Sequence, residues 1–226
     1  MDTNPILKII KKDVGNVGKL KLGLNQNKMR INFFYSIPYD RMLTEMSGLE
    51  YSKKQSLEAK ECMLQIDKNW RKIENRAIKE VEKVSKLKFK YDVTCFLVKN
   101  MAYNALSHPL TIKIHNDYDK FNDVLIHEII HLLLVQSDKS KELLYILNNL
   151  YPNKDSSFIA HLPLLLIERQ VIEILFGDEH YKNILKEDKE IEGLREVWEE
   201  VNKLNKGFRN YRGGILKFFK DEITNR

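Results

Sequence analysis

A helix-dominated α+β fold is predicted by three features of this 226-residue chain. Long amphipathic stretches lack Gly and Pro, a few short segments alternate or are rich in β-formers, and two helical stretches are apolar almost all round. In order, Lys19–Leu22 and Met29–Phe33 alternate around Gly23–Asn27, predicting a strand–loop–strand unit closed by Pro38. Residues 1–50 read as a β-containing N-terminal extension, and residues 51–226 as the main domain, possible as one continuous domain. Across 53–87, Leu57, Met63, Ile66, Trp70, Ala77, Val81 and Val84 recur at helical spacing and predict one long helix. Tyr91–Val98 is rich in β-formers, and Leu110–Ile114 alternates. Helices are predicted over 120–136, 140–150, 159–176 (closed by Gly177), 187–205 and 214–223, the last two forming a helical tail.

Composition narrows the function. Hydrophobic residues make up 43% and charged residues 31%, with 9 Gly and 5 Pro, which excludes collagen-like and Pro/Gly-rich disordered chains. Two cysteines, Cys62 and Cys95, exclude a disulfide scaffold and a cysteine-based zinc site. No signal-peptide layout opens the chain, and no run reaches the roughly 18 apolar residues of a membrane span. The expectation is a soluble, cytoplasmic protein with no membrane partner. The net charge of +6 is concentrated in residues 1–35, as Lys8, Lys11, Lys12, Lys19, Lys21, Lys28 and Arg30 against Asp2 and Asp13. Without a helix-turn-helix, RNP-like or zinc-finger signature, this basic excess reads as solubility and gives no clear nucleic-acid partner.

The chemistry is in helix 120–136, as His127-Glu128-Ile129-Ile130-His131. Two histidines at i and i+4 share one helical face and can reach one metal ion, and Glu128 can accept a proton from water beside it. Zinc suits such a site, because it accepts nitrogen and oxygen ligands and brings bound water toward a pKa near ~7. The flanking residues are apolar nearly all round, so three polar groups buried there would cost several kcal/mol if left unsatisfied. A metal satisfies them. The HExxHxxGxxH pattern is excluded, since Leu134 and Ser137 stand at its Gly and last His positions.

The third ligand must therefore come from elsewhere, and helix 159–176 is the candidate donor. His161 and Glu168 lie seven residues apart on one face of it. Glu168, mid-helix among apolar residues, is the predicted third ligand. His161 is then left to hydrogen-bond a developing oxyanion. The alternative makes His161 the ligand and places Glu168 behind the ligands, and a third reading gives Glu168 a buried ion pair. Tyr103 and Tyr181 are lesser oxyanion candidates. Glu173 with Arg169 reads as a helix-surface ion pair. His108, His115 and His180 read as strand-flanking or turn residues, and Asp123 as a first-turn acid that could orient His127.

On these residues, the stretch from about 60 to 176 resembles the gluzincins, the thermolysin-like zinc metallopeptidases, and most of all their compact minigluzincin versions. The resemblance implies a zincin-like core: a long backing helix, a small sheet, the HExxH helix, and a helix carrying a glutamate ligand. It also implies an edge strand that binds an extended peptide or protein substrate by main-chain pairing, with Leu110–Ile114 at that place. Ile167 and Ile172 stand where the thermolysin pattern has Asn and Asp. The function expected is peptide-bond hydrolysis with Zn2+ on His127, His131 and Glu168 and with Glu128 as general base. A metal-binding but non-proteolytic protein is the alternative.

Overall fold

The computed structural model describes residues 29–188 and 193–225. The predicted Lys19–Leu22 strand and most of the basic N-terminal section lie outside them. The described chain is a helix-dominated α+β structure built around one small mixed sheet.

Strand β1 (Ile31–Tyr35) is followed by helices α1 (Ile37–Met46), α2 (Lys53–Trp70) and α3 (Glu74–Ser85). These carry the chain over to β2 (Val93–Val98), which runs parallel to β1 with Ile31 opposite Val93. A crossover of this length is what a parallel pair requires. Pro38, expected to close a strand unit, instead opens α1, where its fixed φ and missing N–H fit the first turn. Residues 31–35 thus belong to the same sheet and core as the main domain.

The predicted 53–87 helix is broken into α2 and α3. No Gly or Pro marks the break, and its cause is tertiary. At Lys72 and Ile73 the ladder tightens to bonds from residue i to i−3, with partners Asn69 and Trp70. The turn aims the buried Glu74 carboxylate at β1, where Oε1 accepts from the Ile31 amide at 2.9 Å and from Trp70 Nε1 at 3.1 Å. Arg71 bridges Glu74 and the Ile31 carbonyl. A straight helix would leave this edge of β1 without its clasp.

Beyond β2, the short strand β3 (Ala105–Ser107) turns back through His108-Pro109 into β4 (Leu110–Lys113). The sheet order is β1-β2-β4-β3, with β4 parallel to β2 and β3 antiparallel to β4. This corrects an expectation. Leu110–Ile114 is an interior strand, and the edge beside the candidate site is β3, a segment that reads as loop.

Helix α4 (Tyr118–Gln136) packs against β3 and β4. Asp117 caps it, accepting from the amides of Asp119 and Lys120. Helix α5 (Ser140–Leu150) leads to α6 (Ser156–Phe176), whose Asp155 cap accepts from the Phe158 amide at 2.8 Å. Helix α6 is the hub of the core, packed by α3, α4, α7 (Asp178–Asp188) and α8 (Leu194–Phe208). Leu162, Leu164, Leu165, Leu166 and Ile167 are all 0% exposed, as an all-round apolar helix requires. Helix α7, read as a turn around His180, forms on the far side of Gly177 (φ +95°). Helix α9 (Gly214–Thr224) closes the fold against α3 and α5. At Gly214 (φ +78°) a Cβ would lie 2.5 Å from that of Lys86, so only glycine permits this approach. Among the described residues, no helix is long and apolar enough to cross a membrane.

Candidate metal centre

One turn of α4 separates His127 from His131, and their ring centroids are 5.0 Å apart. Helix α6 crosses them in the opposite sense, bringing His161 within 5.0 Å of the His131 ring and 5.8 Å of the His127 ring. One ligand atom from each of His127, His131 and His161 lies within 4.8 Å of the other two, so this half-buried group can hold a metal ion.

The hydrogen bonds around the rings favour that use. The Ser157 carbonyl can only accept, so His161 donates to it from Nδ1 at 2.8 Å, which leaves the Nε2 lone pair for a ligand. His127 Nδ1 lies 3.0 Å from Glu168 Oε2, and donating there likewise frees its Nε2. An imidazole held by a carboxylate behind it is oriented and made more basic.

The convergent set therefore differs from the predicted one at one position: His161 stands in it and Glu168 stands behind His127. The cause is the stagger of α6 on α4. Seven residues separate His161 from Glu168 by about 10 Å along the helix axis, so they occupy different stations along α4. His161, expected to serve an oxyanion, has its Nδ1–H committed to Ser157 and faces the other two rings. Among the described residues Glu168 does not pair with an arginine; it lies against His127.

Glu128, 8% exposed, accepts from Ser107 Oγ through Oε2 at 2.6 Å. It opens on a cleft of about 1050 Å³ lined by Ala105, Asp123, His127, Glu168 and His180 among others. Within it, His180 Nε2 lies 2.9 and 3.0 Å from the two Asp123 oxygens. Asp123 thus orients His180 and not His127. Burial raises the Asp123 carboxyl to about 6, against the pull of His180. The remaining candidates fall away from the centre. Tyr103 is 69% exposed, and Tyr181 is a packing residue under Arg169 and beside Trp198. Glu173 does pair with Arg169, at 3.1 Å, but in a half-buried network with Arg209 and Asn202. Ser107 and the Asp123–His180 pair had no signal in the sequence, since each depends on contact between elements far apart in the chain.

Electrostatics tie His127 to Glu168. Burial lowers the His127 imidazole, but the Glu168 carboxylate beside it outweighs this and lifts it to about 9. His131 is pushed down to about 3 by burial and then by the neighbouring His127 and His161. In metal-free protein the protonated His127–Glu168 pair stabilises the fold. That contribution is complete below the ordinary imidazole value of 6.5 and is lost as pH rises through about 9. Metal-free protein is expected to melt at progressively lower temperature between those values, followed by circular dichroism. Glu168→Gln should flatten that decline; an equal decline in the variant would place its origin elsewhere.

Comparison with protein-family models, curated proteins and solved structures found no match to this chain.

Proposed function

We propose that this protein is a zinc-dependent peptidase of zincin-like design, with His127, His131 and His161 as metal ligands. The carrying observation is the convergence of three imidazoles, with Glu128 following His127 in the chain and lining, together with His127, a cleft large enough for a peptide segment. The donor set fits zinc: three neutral nitrogens leave a fourth position open, as catalytic zinc sites do. The ligand set departs from the gluzincin resemblance, whose third ligand is a glutamate.

Zinc held by these three imidazoles would supply Lewis acidity toward water and a carbonyl oxygen. The chain's own residues do the rest. Glu128 accepts the proton of the attacking water and returns it to the leaving amine. Glu168 and Ser157 hold two imidazoles in the tautomer that presents Nε2. The outer edge of β3, paired only with β4 among the described residues, offers main-chain groups to an extended substrate. Both described cysteines are free thiols, Cys95 buried and Cys62 half-buried, which suits a reducing compartment such as the cytoplasm.

Purified protein is expected to carry about one zinc per chain and to cleave peptides from a complex digest. Chelation should abolish cleavage, and stoichiometric zinc should restore it, with products identified by mass spectrometry. A full zinc complement with every peptide intact would support a metal-binding, non-proteolytic protein instead.

A further inference from the structure

We propose that Ser107, on the edge strand, is a positioning residue that aligns Glu128. The inference rests on the peptidase reading above. Glu128 projects from α4, which is fixed by its buried face, but its carboxylate lies at the end of three rotatable bonds. The one hydrogen bond that the described side chains give it is from Ser107 Oγ to Oε2, at 2.6 Å, a length typical of a hydroxyl donating to a carboxylate.

Ser107 is itself well anchored. It is the last residue of β3 and lies opposite Leu110 across the hairpin into β4, so the sheet sets the position of its Cβ. With Oε2 held, Oε1 is the oxygen left for water. The plane of the carboxylate is then defined before substrate arrives, which is how a base gains from fixed geometry. A purely structural bond would instead serve to satisfy a buried carboxylate, and the two roles differ in what their loss changes.

The full-length, zinc-loaded protein tests this with Ser107→Ala and with the isosteric pair Ser107→Thr and Ser107→Val, which differ only in the hydroxyl. A peptide that the wild type cleaves reports kcat and KM. A peptide hydroxamate, whose acidic O–H is accepted by the base as it binds, reports alignment by calorimetry without turnover. Ser107→Ala and Ser107→Val are expected to lower kcat roughly 10- to 100-fold, the scale of one charge-assisted hydrogen bond. KM and zinc content should stay unchanged, and Ser107→Thr should restore most of the rate. Hydroxamate affinity should fall about tenfold in Ser107→Val relative to Ser107→Thr, and Ser107→Val should add nothing in a Glu128→Ala background, where no acceptor for the Ser107 hydroxyl remains. Equal kcat and equal hydroxamate affinity in the Thr and Val variants overturn the proposal, as does a Ser107→Val loss that persists without Glu128. A zinc-loaded wild type that cleaves nothing overturns the peptidase reading, while the hydroxamate arm still decides whether Ser107 acts through Glu128.

Discussion

Glu128→Gln is expected to keep its zinc and its fold and to lose peptide cleavage. The amide has nearly the shape of the carboxylate, and its oxygen can still accept from Ser107 Oγ, so neither α4 nor β3 has cause to move. The three imidazoles that could hold a metal ion are untouched. What disappears is the basicity at the cleft. A general base contributes about 10²–10⁴-fold, and in the proposed mechanism Glu128 also carries the proton to the leaving amine. The fall in kcat/KM should therefore lie toward the upper end of that range. Zinc content by atomic absorption, with the cleavage rate of one defined peptide, checks both halves. A variant that retains zinc and cleaves at the wild-type rate would remove Glu128 from the mechanism.

The features legible in the sequence are those fixed by local geometry. HExxH is of this kind: i and i+4 on a helix bring His127 and His131 together whatever else the chain does. The helical extents of α5 and α6 follow equally from local signals, an apolar period and the Gly177 stop. What the sequence left open depends on one element's position against another. His161 and Glu168 share a face of α6, so periodicity allows either to join the two α4 histidines, and only the stagger of α6 on α4 separates them. The break after Trp70 has no local breaker because Glu74 and β1 make it together. Strand β3 is three residues long, too short for alternation to register, yet it brings Ser107 to the Glu128 carboxylate. Helix α7 is so charged that its period is faint, and it carries the histidine that pairs with Asp123.

That stagger makes a strong demand on metal binding. His161→Ala should cost far more zinc affinity than Glu168→Gln. Four-ligand zinc sites bind with about 10–16 kcal/mol in total, so one ligand is worth roughly 3 kcal/mol and its removal about 10²–10³-fold in Kd. In the proposed site Glu168 would act on the metal only through His127. Loss of such an outer partner costs 10–100-fold, and Gln can still accept the Nδ1–H, which puts Glu168→Gln near the lower bound. The two variants should also fail differently. His161→Ala empties one side of the cage and should leave residual zinc bound by the α4 pair alone. Glu168→Gln keeps three ligands, but His127 loses the charge that makes it basic and fixes its ring. Competition against a chromophoric chelator measures both constants. The reverse order, with Glu168→Gln the more damaging, would return Glu168 to the ligand position and make the convergence of three imidazoles incidental. The predicted order would instead show that the glutamate on α6 serves the metal by holding the histidine that touches it.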